Sequence, residues 1–551
     1  MMNQKKINIL IAAFTFFVIL PSWAQIETEQ VEVVKAFEVQ LEDAIKVPVS
    51  PKIVVVEPQK KVYQYDVTIV PLEIKYPDPI IKPLAMNVED PFESKQLFLK
   101  AGYGNARNPY FRMRFATAGN DKYELNAQFD YAGVDNTKKI ELQKMSSSQG
   151  QIGIKYRLKE NMFVKGGINY LIDRRNFYFI YADQSMAVDE ELLKRNTNSY
   201  GAFIGIQNVE KTGSNIDYDL NFKTDFFNTT NFNANEQIIG VDGKFSYQVN
   251  ENVSIQMPIS SYGYRNRISE TKESKYYFVL DFNPYFHFHK GAINIKAGAE
   301  LLVDGGSFRP FPTVDLSYAL AEKQFQIFLG VDQRQQINDL RNLITFSPWV
   351  NTILDTINVN VGQEYFGGIR GDINFLSYQA RAGFRKNINQ PLFTNYRVRS
   401  LESNDKPSVD YTEMNTVFIN GSADFALNDR ITIGGILTKN FYGEIAKDAY
   451  GLLSIEGDVY AKLDVIRDRI TLKGDLYMAD RTSSVYPDVS GRPIQVHTTN
   501  LFDLNFGLEG WVTEKVGLYF DAYNVLNNKN VRWYGYPQIG IHFNGGVVAK
   551  F

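Results

Sequence analysis

From about residue 95 to its last residue the chain repeats one pattern, short segments in which apolar and polar residues alternate. LSIEGDVYAKLDV (453–465) puts Leu453, Ile455, Gly457, Val459, Ala461 and Leu463 on one face and Ser454, Glu456, Asp458, Tyr460, Lys462 and Asp464 on the other. RITLKGDLYMAD (469–480), LFDLNFGLEGW (501–511), VGLYFDAY (516–523) and FLSYQARAGF (375–384) follow the same rule. A period of two belongs to β-strands whose two faces meet different surroundings. The charges sit in mid-strand on the polar face, as a water-filled interior allows.

Connection lengths separate a barrel from a sandwich. About 22 strands are legible, starting at KQLFLKAGYG, and the turns between them alternate. One set is short, around 118–122, 159–162, 211–215, 250–253, 289–292, 321–324, 427–430, 466–469 and 513–515. The other is mostly longer, at 132–148, 173–198, 226–236, 264–274, 335–362, 386–410, 441–448, 481–499 and 526–537. Short turns at one end and long loops at the other mark an outer-membrane barrel. A soluble sandwich or propeller has no reason to sort loop length by strand parity. The average of roughly 21 residues per strand and connection leaves the ~9–11 that a tilted strand needs to cross. The expected fold is therefore all-β, a transmembrane antiparallel barrel. Pro284, in FVLDFNPYFHFH, falls on the lipid face and removes a ladder hydrogen bond, so a bulge is expected there.

The last segment, GYPQIGIHFNGGVVAKF, is apolar or small at Ile539, Ile541, Phe543, Gly545, Val547, Ala549 and Phe551. Such a strand is prone to aggregate unless its edge is paired. Pairing with the first strand closes the cylinder and turns the odd face to lipid.

The other end differs. MMNQKKINILIAAFTFFVILPSWAQ has a charged start, an apolar stretch over 7–20 and a small-x-small site at Ser22-Trp23-Ala24, so residues 1–24 read as a cleaved signal peptide. Residues 25–94 read as an extended arm, periplasmic or lumenal. Residues 26–94 contain no Gly and eight of the twenty Pro, which break long helices and central strands. No cysteine is present, which excludes disulfides and thiolate chemistry. A net charge of −3 gives no footprint for nucleic acid.

FDAYNVLNNKNVRWYGYPQIGIHFNGGVVAKF resembles the last two strands of TonB-dependent receptors. Asn524, Val525, Leu526, Asn527, Trp533, Tyr534, Pro537 and Phe551 occupy the places of an Asn-rich turn, an aromatic loop, a Pro and a final aromatic residue. The resemblance implies a 22-strand barrel in the outer membrane and transport of a nutrient. It points to EQVEVVKAF (29–37), with Val31, Glu32, Val33 and Val34, as a TonB-box-like segment. The terminal strand, with Phe543, Val547, Ala549 and Phe551, resembles the signal read by barrel-assembly machinery. Such receptors also carry a Gly-rich globular plug. The arm is shorter and lacks Gly, so the expectation is a plug-less barrel of Bacteroidetes type.

A lumen of this width needs closing. The arm, the loops 173–198, 335–362 and 386–410, or a partner can do so. QQINDLRNLITFSPWVNTILDTINVNVG (335–362) is apolar enough to fold back into the lumen or to pack on a partner. His287 and His289 share a lumen face without a third ligand nearby in sequence. Arg174 and Arg175, beside Tyr178 and Phe179, are candidates for sugar or lipopolysaccharide contact, although aromatics at such a height usually form the interfacial girdle. No phosphate-cradling loop, G-x-S-x-G or H-E-x-x-H is present, so neither an enzyme nor a cofactor is expected. The expected function is a TonB-dependent-receptor-like conduit. The alternative is an accessory subunit of an outer-membrane assembly, secretion or uptake complex. Expected partners are outer-membrane lipid or lipopolysaccharide, barrel-assembly machinery, and TonB or another periplasmic or outer-membrane protein.

Overall fold

A computed structural model describes residues 96–117, 122–178, 193–208, 215–230, 234–268, 274–321, 324–352, 357–394, 406–443, 449–487, 490 and 492–551. The signal peptide, the arm and the segment Val31, Glu32, Val33 and Val34 lie outside the described residues.

The alternating segments form one antiparallel sheet of 23 hydrogen-bonded pieces that closes on itself. Ser274–Phe282 and Tyr285–Lys290 are two halves of one stave, since both pair with Val253–Ile268 and with Ile293–Asp304. The barrel therefore has 22 strands. Pro284 separates the halves, but without the expected bulge. Phe282 faces Ile259 and Leu301, and Tyr285 faces Gln256 and Gly298, so two residues are skipped on every strand and the register is kept. The missing N–H costs two rungs and nothing more, because the Pro284 carbonyl still accepts from Ala299 N–H at 3.1 Å.

Closure runs between Leu97–Gly104 and His542–Lys550, from Phe98↔Lys550 to Gly104↔Asn544. Phe551 N–H donates to Leu97 O at 2.8 Å, so the final residue is stitched to the first stave. Phe543 stacks on Phe520 with ring centroids 5.6 Å apart, and Val547 and Phe551 are exposed on the outer face.

The outer face carries Ile154, Ile168, Ile204, Val241, Leu329, Ile369, Ile419, Leu437, Val459 and Leu518, all exposed, as a belt around the barrel. Tyr123, Tyr156, Tyr247 and Tyr318 ring it near the short turns, and Tyr103, Tyr200, Phe226, Tyr276 and Phe308 near the long loops. An apolar band between aromatic girdles is what two membrane interfaces select. No helix among the described residues is long and apolar enough to cross a membrane.

Loop length mostly follows strand parity, and the sharpest departure is a two-residue turn. Gly305 and Gly306 alone join Ile293–Asp304 to Ser307–Ala321 at the long-loop end. Their φ values of +53° and +92° give the doubly left-handed hairpin turn that glycine permits.

Candidate functional site

The long-loop end is where the barrel departs from a plain cylinder. Ser307–Ala321 pairs with Phe325–Ile337 only as far as Val314↔Val331. Phe325–Ile337 and Val359–Ile373 then continue together to Ile337↔Val359. The parity that turns Ile327 and Leu329 outward also governs Gln333 and Gln335. Yet Gln333 Nε2 donates to Glu300 Oε1 at 3.2 Å and Gln335 Nε2 to Asp281 Oδ2 at 2.5 Å, both carboxylates on the inner wall. Ile357, Val359 and Val361 likewise pack on Leu302, Val279 and Tyr264. The upper half of this hairpin has leaned into the barrel. The low Gly305–Gly306 turn beside it leaves the space through which it leans.

The hairpin carries the helix Leu340–Phe346. Asp339 caps it, its Oδ1 accepting from Asn342 N–H at 2.7 Å. Leu340, Leu343 and Ile344 share the buried face, the spacing of a one-sided helix. Pro348 follows and stops it. The helix is bound to the wall strands Lys194–Asn208, Ile216–Thr229 and Ala234–Asn250. Glu236 Oε2 accepts from Leu340 N–H at 3.2 Å, and Arg341 Nη2 donates to Ser199 Oγ at 2.5 Å and Asp225 Oδ1 at 3.1 Å. Two buried carboxylates thus face the helix start, where the free N–H groups favour negative charge. Burial nonetheless pushes the Asp339 carboxyl up to about 6, with the Asn342 N–H and Arg341 pulling it down and Asp225 pushing it up.

Beyond the helix the chain joins a cover built from several loops. Trp349 stacks on Tyr536, centroids 4.1 Å apart and planes at 4°, and meets Tyr178 edge-on at 5.1 Å. Phe346 stacks on Phe393 at 5.1 Å, and Trp533 packs edge-on against both. Arg195, almost fully buried, donates to Pro348 O at 2.9 Å and Val350 O at 2.5 Å. Gln143 Nε2 and Tyr178 Oη donate to Pro537 O at 2.9 and 3.0 Å. Asn351 N–H donates to Pro407 O at 2.7 Å.

The wall below is polar and paired. Glu364 is fully buried and binds Arg381, Arg385 Nη2 at 2.5 Å and Arg334 Nε at 3.4 Å. Lys100–Asp521 (2.8 Å) and Lys165–Asp219 (2.6 Å) are further lumen pairs. Toward the short turns the interior opens into a cavity of about 1150 Å³ lined by His289, Arg370, Asp372, Ser377 and Asp424, among others.

The described part of the 335–362 segment, residues 335–352 and 357–362, does fold back into the lumen, one of the two fates its sequence allowed. Tyr178 is no girdle residue. It is buried in the cover because Trp349 and Tyr536 offer it an aromatic pocket. Arg174 is exposed on the outer face, Arg175 pairs with Asp173 at 2.6 Å, and Phe179 lies outside the described residues. His287 and His289 share the lumen face, with His287 Nε2 3.2 Å from Asn294 Oδ1. Among the described residues no three His, Asp or Glu gather as a metal site. The C-terminal motif is structural. Asn524 and Asn527 take left-handed φ of +47° and +51°, and Asn524 Oδ1 accepts from Asn528 N–H at 3.0 Å. Sequence reading missed Arg195 and Glu236, whose only signal is polar residues on the inner face of a strand end.

No family model and no curated protein matches the chain. Solved structures do. The FrpB iron transporter of Neisseria meningitidis superposes with a TM-score of 0.63 at 9% identity, covering 84% of this chain and 82% of that one. A mutant of the ferric enterobactin receptor PfeA from Pseudomonas aeruginosa gives 0.62 at 8% identity, with 83% and 80% covered. The copper transporter OprC gives 0.59 at 10% identity, with 83% of each chain covered. At such identities the likeness is one of fold. These neighbours are transporters and receptors, not enzymes.

Proposed function

We propose that the protein is an outer-membrane conduit of the TonB-dependent-receptor kind, and that the inward hairpin with residues 338–352 is its gate. The observation that carries this is the leaning hairpin itself. It projects into a wide polar lumen and is held to the wall at separate places by side-chain hydrogen bonds, Gln333 to Glu300 near its base and Arg341 to Asp225 four strands further round. Such contacts exchange readily with water, so the segment can withdraw without unfolding the barrel. The apolar belt and girdles support an outer-membrane location, with the long loops outside and both terminal strand ends at the periplasmic face. The C-terminal resemblance and the metal transporters among the fold neighbours support nutrient uptake. In this reading the arm is periplasmic, its segment Val31–Val34 engages TonB, and the strand ending at Phe551 is the client signal for barrel assembly.

Single-channel conductance in a planar bilayer tests the gate. The protein is compared with a variant in which residues 340–352 are replaced by a Gly/Ser linker and with one lacking residues 26–94. Steady conductance on replacing 340–352 supports the gate. Silence in all three forms overturns it and favours the accessory-subunit reading.

A further inference from the structure

On the outer face, the staves Met162–Asn176 through Ser274–Phe282 present their side chains in level rows, fixed by register. One row reads Tyr276, Arg265, Gln237, Phe226, Tyr200 and Tyr170. The row nearer the short turns reads Phe278, Gly263, Ile239, Thr224, Ala202 and Ile168, and belongs to the apolar belt. The row nearer the long loops changes character to Arg267, Asn235, Asn228 and Asn198. Arg174 follows one step further up, opposite Asn196. Within four residues, or ~13 Å along a strand, the surface passes from hydrocarbon-like to aromatic to amide and guanidinium.

Arg265 and Arg267 are exposed, and neither has a carboxylate in ion-pair range among the described residues. Arg265 instead lies over the Tyr276 ring at 6.0 Å. The outward positions of these rows hold no Asp or Glu. A groove of about 340 Å³ runs between Asn198, Asn228, Gln237 and the two arginines. Glu236, which also borders it, points through the wall to the Leu340 N–H. Two arginines two residues apart on one strand, about 7 Å along the backbone, with amide side chains beside them and aromatics below, fit an anion at the water–hydrocarbon boundary. Arginine matches phosphate in particular, through its planar fork of donors.

We infer that Arg265 and Arg267 bind the phosphorylated headgroup of an outer-leaflet glycolipid, with Asn228, Asn235 and Gln237 as hydrogen-bonding partners to its sugars. The occupant is lipid rather than free phosphate, because the site stands directly on the apolar belt where acyl chains lie. This rests on the outer-membrane reading, which resistance of the folded barrel to denaturation by sample buffer without heating checks separately.

The test titrates the full-length protein in detergent with fluorescent lipopolysaccharide carrying intact lipid A phosphates, and with the same glycolipid after their removal. Arg265→Ala/Arg267→Ala is expected to weaken binding at least tenfold, and removing the phosphates is expected to weaken wild-type binding by a similar factor. Arg265→Lys/Arg267→Lys is expected to recover part of the loss. The dephosphorylated arm needs no variant, so misfolding of a mutant leaves the test intact. Equal binding of both glycolipids to the wild type overturns the inference. So does competition by phosphatidylglycerol or inorganic phosphate at the same concentration as the glycolipid, which would make the site a general anion surface.

Discussion

Arg195 donates to the carbonyl oxygens of both Pro348 and Val350, fastening the tip of the inward segment to a wall strand 153 residues earlier in the chain. Its ring contact with Phe177, at 4.7 Å, holds the guanidinium plane in place. Hydrogen bonds to a charged group contribute about 1.5–3 kcal/mol each. Arg195→Ala is therefore expected to raise the open probability of single channels at least tenfold. Arg195→Lys should rescue only part, since one ammonium cannot span both carbonyls in a fixed plane.

The Asp339 carboxyl is expected to make the proposed gate sensitive to pH. In the closed state its pKa is raised from 3.8 to about 6 by burial. A raised carboxyl pKa means the closed state holds the proton more tightly than an open, solvated one. Closure is fully favoured below about pH 4 and loses that support as the pH rises through about 6. Open probability should climb across this window, and the Glu236 carboxyl, also raised by burial at the same helix start, should carry the climb to higher pH. Asp339→Asn keeps a capping side chain and should flatten the part of the climb below about pH 6, leaving the part due to Glu236.

Trp349 is the main apolar anchor of the cover. Trp349→Ala removes its stack on Tyr536 and its edge contact with Tyr178. Large-to-small changes at buried aromatics cost about 3–5 kcal/mol. Amide hydrogen exchange over residues 340–350 should accelerate at least a hundredfold, while exchange in the staves at Ile204 and Ile419 stays unchanged.

Glu364 balances three guanidinium groups. Glu364→Gln leaves Arg334, Arg381 and Arg385 facing one another. Breaking a buried pair in this way costs about 3–5 kcal/mol. In a gate-deleted background the same change should shift the reversal potential in a salt gradient toward anion preference.

The outer belt predicts an asymmetry. Val547 faces outward opposite Leu518. Val547→Arg should lower folding stability in lipid vesicles by about 2–4 kcal/mol if it lies near the midplane. Ser422→Arg, on the wall of the inner cavity, should change it little. Urea titration of vesicle-folded protein separates the two.

Much of the barrel is legible in the sequence because a strand's period is set locally. Ile455, Val459 and Leu463 must share a face wherever the strand lies, and the terminal edge must be paired wherever it ends. The gate is only half legible. The apolar content of 335–362 shows that the segment needs cover. But Gln333 and Gln335 continue the outward parity of Ile327 and Leu329, and only the lean of the whole hairpin carries them onto Glu300 and Asp281. No local pattern encodes that rotation. Tyr178 misleads for a related reason, since an aromatic near a strand end suits a girdle as well as a buried cluster. Pro284 shows the reverse error. A lost donor suggests an inserted residue, yet neighbours on both sides kept the ladder in step.

The carbonyl of Pro537 receives hydrogen bonds from Gln143, 394 residues earlier, and from Tyr178, 359 residues earlier. Trp533 and Tyr536 supply the rings on which Phe346 and Trp349 rest. The keystone of the cover therefore arrives almost last as the chain is made, just ahead of the strand that closes the cylinder. A growing barrel cannot seal its own mouth early. Contacts so far apart in sequence form late in folding. On this ground the cover is expected to assemble together with the closing of the cylinder rather than ahead of it.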